Sequence, residues 1–216
     1  MTGFTWDWST VAAVLPELLE AFVKVTLVVT VTASVLAALL GLVWAVLVRE
    51  LPGVVSRPLA WVLDFIRMTP IPVQLFLVYY TFSSLSPMTI GIIVFGIHYS
   101  TYMAESYRAG IESIRPGQWE AATALSLPRS RTWRAVIIPQ ALRATLPSLG
   151  NWAIAMFKDT PFLIVIGVGE MVTAARQYGG RNFDYVEAFT MAGVLFLLAS
   201  YPTAVLMRRL EKKLAY

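Results

Sequence analysis

The sequence contains no cysteine and a single histidine, His98. Without cysteine the chain can form no disulfide framework, thiol nucleophile or thiolate metal site. One histidine excludes a multi-histidine metal cluster, so the sequence predicts no metal site. The phosphate-binding pattern G-x-x-x-x-G-K-[ST] is also missing, and we expect the chain to hold no nucleotide itself. The sequence therefore predicts neither a bound cofactor nor an enzymatic activity.

Charge is scarce, because 14% of the residues are charged against roughly 25% in a typical soluble domain. Hydrophobic residues make up 57% of the 216 residues, and uncharged runs cover 25–48, 68–104 and 188–207. Since about 20 apolar residues span a bilayer, we predict an all-α integral membrane protein. About five transmembrane helices are expected, at about 22–48, 59–82, 88–110, 143–165 and a last one ending near Met207.

Breaks and connections are expected between and within these spans. The segment 69–72 should interrupt the second span, and Pro147 and Pro161 the fourth, because proline removes a backbone donor. Residues 166–187 are expected to be an amphipathic, loop-rich connection. Tyr99 is expected to lie at the membrane interface.

Positive charges are concentrated in one set of loops. Lysine and arginine number 12 in residues 49–58, 108–143 and 208–216, but only 2 in residues 1–22, 83–90 and 166–187. Loops rich in lysine and arginine lie on the cytoplasmic side. The sequence thus predicts a multi-pass protein of the bacterial cytoplasmic membrane, with its N-terminus outside and its C-terminus inside. Because the basic residues flank spans, the net charge of +4 does not indicate nucleic-acid binding.

The most basic loop contains EAATALSLPRSRTWRAVIIP, residues 120–139. Its spacing resembles the EAA loop of bacterial ABC-importer permeases, in which positions 126, 136 and 138 are usually Gly, Ile and Leu. This sequence has Ser126, Val136 and Ile138 instead. The resemblance implies a short cytoplasmic helix and turn that dock on a partner ATPase, whereas a basic loop that merely orients the chain is the alternative. The residues implied in this coupling are Gly117, Glu120, Ala121, Ala122, Ser126 and Pro139.

Three further segments are similar to the polar amino acid uptake branch of the same permeases, the branch of histidine, glutamine and arginine permeases. They are FIRMTPIPVQLFLVYY (65–80), YSTYMAESYRAGIESIRPGQWEAA (99–122) and NWAIAMFKDTPFLIVIGVGEM (151–171). The sequence departs from the usual blocks at Met68, normally Gly, and at Pro161 and Phe162, normally Ser and Leu. The resemblance covers nearly the whole chain and implies the type I ABC-importer permease fold.

Ionisable residues inside a span are rare and tend to face a cavity or a partner. Lys158 and Asp159 are adjacent in the fourth span, so their side chains point about 100° apart. Asp159 shares a helical stripe with Trp152 and Met156, and its carboxylate could hold the amino group of a zwitterionic solute. Lys158 could anchor a carboxylate or a neighbouring helix. A purely structural interhelical role for Asp159 is the alternative.

Glu105 in the third span and Gln74 in the second complete the predicted substrate pathway. Glu105 lies one helical turn from Arg108, and a self-neutralising pair is the competing interpretation for these two residues. Gln74 can equally make an interhelical hydrogen bond. His98, within an apolar run, is expected to be a hydrogen-bonded core residue.

These features together predict the permease subunit of a binding-protein-dependent ABC importer. Residues 1–21 would form an extracytoplasmic amphipathic lead-in, 22–210 a single transmembrane domain with its coupling loop at about 111–142, and 211–216 a cytoplasmic tail. The implied partners are an ATPase dimer carrying ATP and Mg²⁺, a second permease (the same chain or a sibling), a solute-binding protein and membrane lipid. The branch implies a polar amino acid as solute, with ectoine or hydroxyectoine as the alternative. An ATP-independent secondary transporter and a non-transporting scaffold are further alternatives.

Overall fold

The structure is a computed structural model that describes residues 5–214. Its regular elements are all helices: α1 (Trp8–Glu50), α2 (Gly53–Met68), α3 (Ile71–Thr81), α4 (Pro87–Glu112), α5 (Pro116–Ala124), α6 (Arg129–Ile166), α7 (Met171–Asn182) and α8 (Tyr185–Leu214). The first four residues of the predicted lead-in and the last two of the predicted tail lie outside the described residues. Over residues 5–214 the chain is all-α, as the sequence predicts.

Polar side chains cap the starts of several helices. Asp7 caps α1 by accepting hydrogen bonds from the hydroxyl and the N–H of Ser9, at 2.7 and 2.8 Å, and these bonds lower the pKa of Asp7. Ser86 caps α4 in the same way. Glu170 caps α7, where its buried carboxylate accepts a 2.6 Å hydrogen bond from the N–H of Thr173. Each cap supplies a partner for N–H groups that have none inside the helix.

The predicted lead-in and the first span form one continuous helix. α1 runs for 43 residues, and a π-helical segment, Phe22–Leu27, lies where the two were expected to meet. The predicted loop-rich connection is wrong over residues 171–182, which form α7. Val14 and Leu18 of α1 pack on α7 and α8 in a hydrophobic core at this end of the chain's fold. Burial in this core explains why the lead-in and residues 171–182 are both helical. The buried members of this core are Val14, Leu18, Met171, Ala175, Tyr178, Ala188 and Ala192.

The second predicted span is broken as expected. α2 and α3 are separated at Thr69 and Pro70, and the two helices differ in direction by 103°. Thr69 is extended, with φ −88° and ψ 133°, because a residue that precedes proline is disfavoured in helical conformation. The predicted interruption at 69–72 is therefore confirmed, and it bends the chain sharply.

The fourth predicted span is longer than expected and begins inside the predicted coupling loop. α6 continues through Pro147 without a break, so the predicted interruption at Pro147 is wrong. Proline removes one backbone hydrogen bond, but the ring of Pro147 is buried and its packing offsets that loss. Near Pro161 the helix does change, tightening to a 3-10 helix over Thr160–Ile166. Gly167, with a φ of 76°, ends it.

α4 lies at the centre of the bundle and packs against α1, α3 and α6. Within residues 5–214, three helices, α1, α6 and α8, are long and apolar enough to cross a membrane. The number is four if α2 and α3 count as one bent span. α4 is not among them, although its 26 residues would extend about 39 Å. Its middle carries His98, Ser100 and Thr101, which are buried and meet other helices instead of lipid. A fifth span through α4 stays a prediction.

Candidate functional site

The predicted coupling segment forms α5, a helix of nine residues at one end of the bundle. Trp119 fastens α5 to two other helices. Its ring centroid lies 5.5 Å from that of Trp133 in α6, and the guanidinium of Arg49 in α1 lies 4.9 Å from it. Ala122 is buried, with 3% of its surface exposed. One face of α5 is therefore fixed on the bundle.

The other face of α5 is exposed and consists of small side chains around one carboxylate. Gly117, Glu120, Ala121 and Ala124 recur at the three- and four-residue spacing of a single helical face, and all four are exposed. A β-carbon added at Gly117 would meet nothing within 4 Å. Such small side chains allow another protein to approach the helix backbone closely. We call this surface the α5 outer face.

Ser126 forms the turn that ends α5, in the left-handed conformation with a φ of 50°. Its N–H donates to the carbonyl of Thr123 at 2.9 Å, and the N–H of Leu127 donates to the carbonyl of Ala122 at 3.0 Å. These are the two hydrogen bonds of a Schellman motif. Glycine adopts this conformation without the steric cost that a β-carbon brings. The geometry explains why glycine is usual here in the EAA loop, and it shows that Ser126 carries backbone strain.

Pro139 lies beyond this turn, exposed in α6 just after the π-helical segment Thr132–Ile137. The next residue, Gln140, donates a 3.1 Å hydrogen bond to Gln118 of α5. This hydrogen bond links α5 to the first part of α6, the two helices on either side of the turn at Ser126.

Asp159 is half-buried in α6 and is tied to α4. Its Oδ2 accepts a 2.6 Å hydrogen bond from the hydroxyl of Tyr99, while its Oδ1 accepts none from residues 5–214. The expectation that Tyr99 lies at the membrane interface is wrong, since only 3% of its surface is exposed. A buried tyrosine hydroxyl needs a partner, and the carboxylate of Asp159 supplies it.

Trp152 extends the same contact between α6 and α4. Its ring centroid lies 4.6 Å from that of Tyr102, and its Nε1 donates a 3.0 Å hydrogen bond to Ser106 Oγ. Met156, in contrast, is fully buried, and its Sδ lies 3.4 Å from the hydroxyl of Ser34 in α1. Of these two predicted pathway residues, Trp152 is half-buried at the α4 contact and Met156 belongs to the core.

Gln74 holds the bend between α2 and α3. Its Nε2 lies 2.7 Å from the carbonyl of Ile66, 3.0 Å from that of Thr69 and 3.0 Å from His98 Nδ1. The two carbonyls stand at the end of α2, where helical partners run out. The interhelical hydrogen bond considered for Gln74 is therefore present. The expected role of His98 as a hydrogen-bonded core residue is confirmed.

Two cavities flank the bend. One, of about 290 Å³, lies between the bend, α4 and Phe162 of α6. We call it the aromatic cavity, because His98, Tyr102 and Phe162 line it together with Thr69 and Pro70. The other, of about 280 Å³, lies between α1, α2 and α4. Arg67 lines both cavities.

Glu105 lines the second cavity as part of a chain of ion pairs. It pairs with Arg108 at 2.8 Å and with Arg67 at 3.8 Å. Arg67 also pairs with Asp64, and Arg108 with Glu112 at 2.9 Å. The pair considered as the alternative for Glu105 and Arg108 is therefore present, within a longer series of opposite charges. Glu105 and Asp159 belong to different parts of the molecule.

Lys158 is exposed and makes no salt bridge or hydrogen bond with residues 5–214. The depth of Lys158 in the membrane follows from the neighbouring Phe157. The ring centroid of Phe157 lies 4.8 Å from that of Phe196 in α8. Phe196 lies well inside the uncharged run 188–207. Asn151 and Phe162 are exposed on the same face of α6 as Lys158. α6 thus presents a face with a lysine at the depth of the apolar part of α8.

Comparison with known proteins identifies the family. Residues 37–216 match the family of binding-protein-dependent transport system inner membrane components. The chain belongs to this permease family. The permease is 36% identical over 221 aligned residues to a probable amino-acid ABC transporter permease of Sinorhizobium fredii, with 98% of this chain and 95% of the relative covered. It is 35% identical to the glutamine transport system permease of Escherichia coli K12, with 97% and 98% covered.

Solved structures agree with this family. One chain of a crystal structure of an amino acid ABC transporter with histidines superimposes on the permease with a TM-score of 0.86 at 28% identity, covering 97% of this chain and 100% of that one. A chain of the inward-facing methionine ABC transporter shares the fold alone, with a TM-score of 0.69 at 17% identity over 98% and 100% of the two chains. The predicted permease family and its type I ABC-importer fold are confirmed. The family lies in the inner membrane, whereas the orientation of the termini stays a prediction.

Proposed function

We propose that this permease serves a binding-protein-dependent ABC importer of a polar amino acid, and that a partner ATPase drives it through α5. The observation that carries this proposal is the α5 outer face. A coupling element needs an accessible surface for the ATPase and a firm attachment to the spans. The outer face supplies the first, and the contacts of Trp119 with α1 and α6 supply the second. A displacement of α5 would therefore reach two spans directly.

The energy for transport comes from the partner in this proposal. The chain has no nucleotide-binding motif, so ATP and Mg²⁺ would be held by an ATPase dimer. ATP can shift the permease between inward and outward access only if it binds one conformation of the complex more tightly than the other. Closure of the ATPase dimer around ATP would supply that difference. Glu120 would be the one charged contact of the α5 outer face.

The pathway would run along the α6 face that carries Lys158 and reach the aromatic cavity beside it. An unpaired lysine at membrane depth is costly unless it meets water or a carboxylate. A second permease, either the same chain or a sibling, would cover this face and enclose an aqueous path. Asp159 would hold the ammonium group of the solute through its Oδ1, with Tyr99 holding Oδ2. Lys158 would attract the solute carboxylate.

The solute class follows from this pair of opposite charges and from the relatives. The permeases in Bacillus subtilis that resemble this chain include an L-cystine transport system permease, 33% identical over 86% of this chain and 85% of the relative, and an arginine transport system permease, 28% identical over 96% and 97%. Those names, with the glutamine permease above, support a polar amino acid. A solute-binding protein would deliver it on the side of the N-terminus, opposite α5 and the basic loops.

The experiment compares two charge reversals in the tagged chain expressed with its ATPase. Glu120→Lys reverses the charge on the α5 outer face. Glu211→Lys is the matched control, because it makes the same change at an exposed position of α8. We expect Glu120→Lys to abolish co-purification of the ATPase while membrane insertion is kept, and Glu211→Lys to retain the ATPase. Equal ATPase recovery with both variants would remove α5 from the proposal.

The solute is then identified with the purified complex and the solute-binding protein. Stimulation of ATP hydrolysis is measured with a panel of polar amino acids and with ectoine. Stimulation by an amino acid supports the proposal. Stimulation by ectoine alone would mean that the solute is a compatible solute, while the proposed coupling through α5 would still hold. Uptake without an ATPase would mean a secondary transporter, and normal uptake without this chain would mean a scaffold.

A further inference from the structure

α8 carries a surface that neither the coupling segment nor the pathway uses. It is the least covered span, because 6% of its most apolar stretch is buried, against 22% for α1 and 33% for α6. Its inner side is marked by Met207, whose thioether occupies the space that a β-carbon at Gly150 of α6 would need. Leu210 and Leu214 follow at helical spacing on that side. The opposite side of α8 therefore faces away from α6.

This outward side is apolar along most of its length and basic at its end. Eight of the exposed residues of α8 lie on or beside this outward side. At 100° per residue, seven of them fall on the half of α8 opposite Met207, and Leu197 lies about 80° from Met207, at the border of that half. Of the eight, four are apolar or aromatic and are 52–64% exposed, and four are basic. We call them the α8 stripe: Leu197, Leu198, Tyr201, Leu206, Arg208, Arg209, Lys212 and Lys213.

The basic residues of the stripe form no ion pair within the described chain, although the exposed Glu211 lies among them in sequence, on the side of α8 nearer to Met207. None of Arg208, Arg209, Lys212 and Lys213 makes a salt bridge or hydrogen bond with residues 5–214. Four like charges within six residues repel one another. They gain most from a ligand that brings negative charge to this level of the helix.

We propose that the α8 stripe binds an anionic phospholipid of the adjoining leaflet. An acyl chain would lie along Leu197, Leu198 and Tyr201, and the phosphate would lie among the four basic side chains. Clusters of lysine and arginine directly beyond a membrane span attract anionic lipids. The apolar and basic parts follow each other in the order of a lipid's tail and headgroup. The proposal depends on neither the solute nor the ATPase.

The other conceivable occupants fit the stripe less well. A second permease related by an axis along the membrane normal would place its own basic end at the same level. Packing stripe against stripe would then bring eight positive charges together. A soluble ATPase could meet the basic end, but it would leave the exposed Leu197 and Leu198 without a partner at membrane depth.

The test measures lipid binding to the purified full chain by native mass spectrometry. Phosphatidylglycerol is titrated against phosphatidylcholine with the same acyl chains. We expect tighter binding of phosphatidylglycerol, and a loss of about fivefold in that preference for each basic residue neutralised, or about 25-fold for Arg208→Gln/Arg209→Gln. Arg131→Gln/Arg134→Gln is the matched control, because both arginines are exposed and precede Gly150, the α6 residue that meets Met207 of α8, by about 24 Å or more along α6. The preference should be unchanged in this control.

Three results would overturn the proposal. Equal losses in the two double variants would mean attraction by net charge alone. Competition by glycerol phosphate as strong as by phosphatidylglycerol would mean that the apolar part contributes nothing. The third uses Leu198→Cys, which introduces the only cysteine of the chain. We expect a fluorophore on this cysteine to be quenched by lipids labelled in their acyl chains, whereas an intermolecular disulfide between two copies would place a protein on the stripe.

Discussion

Replacing Ser126 with glycine tests whether the turn after α5 is strained. Ser126 holds a φ of 50°, and the left-handed conformation costs about 1–2 kcal/mol for a residue with a β-carbon. Glycine avoids that cost but loses more backbone freedom on folding, at about 0.5–1 kcal/mol. Ser126→Gly should therefore stabilise the turn by about 0.5–1 kcal/mol. The side chain of Ser126 makes no hydrogen bond with residues 5–214, so none is lost.

Hydrogen exchange at Leu127 gives the direct readout. Its N–H donates to the carbonyl of Ala122, and this bond opens when the turn opens. A gain of about 0.5–1 kcal/mol slows exchange by about two- to fivefold, after correction for the intrinsic rates of the new sequence. Ser126→Val should do the opposite, because a β-branched side chain fits the left-handed conformation poorly.

A control separates this effect from a general effect of glycine. Ser130→Gly introduces the same residue at an exposed position of α6 where the backbone is helical, and it should not slow exchange at Leu127. If Ser126→Gly fails to increase protection, or if Ser130→Gly increases it equally, then Ser126 carries no strain. The affinity of the ATPase for the permease should rise by no more than the same two- to fivefold, because only the free energy of ordering the turn is available.

Three further predictions concern the pathway, the bend and the outer end of the bundle. Asp159→Asn keeps the size of the side chain but removes its charge, so the KM of uptake should rise by about tenfold or more. The variant protein should be expressed at the normal level, and uptake is measured in proteoliposomes. Wild-type kinetics would exclude Asp159 from the site. Gln74→Leu leaves the carbonyl of Thr69 without a donor and the carbonyl of Ile66 with only the N–H of Thr69. It should cost about 1–3 kcal/mol of folding free energy, seen as a lower melting temperature in detergent, and an unchanged melting temperature would contradict the role of Gln74 at the bend. Burial raises the pKa of Glu170 above its ordinary value of 4.5, so the folded protein holds this proton more tightly than the unfolded chain does. The free energy of unfolding should then fall as the pH rises from 4.5 through the raised pKa. Glu170→Gln should reduce this dependence of the unfolding free energy on pH. If the dependence is unchanged in the variant, other groups cause it.

Features that depend on neighbouring residues in the chain could be predicted from the sequence. α5 is an example, because Pro116 can begin a helix and the spacing of the EAA loop fixes the turn that follows. The break before α3 is another, since Thr69 precedes Pro70 and cannot easily remain helical. In both cases the cause lies within a few residues, and no knowledge of the surrounding bundle is needed.

Features that depend on packing between helices could not be predicted. The sequence predicts a span over about 88–110 and a core position for His98, but it does not show which helices α4 meets. The hydrogen bond from Trp44 of α1 to Ser100 of α4 is one such contact. The hydrogen bond from Tyr99 to Asp159 joins residues 60 positions apart. A tyrosine near a run of apolar residues predicts a membrane interface when the sequence is considered alone. Pro147 predicts a break because proline removes a backbone donor, and the sequence does not show that the ring is buried in the bundle.

Charge within the spans shows most clearly why the permease is incomplete alone. The sequence treats Glu105 and Lys158 alike, as ionisable residues at membrane depth. Glu105 is balanced by Arg67 and Arg108, so it requires nothing from outside the chain. Lys158 finds no partner among residues 5–214, and its ammonium group must be compensated by water, solute or another subunit. We infer that the face of Lys158 becomes fully formed only in the assembled importer, since a second permease can shield it from lipid and keep it hydrated.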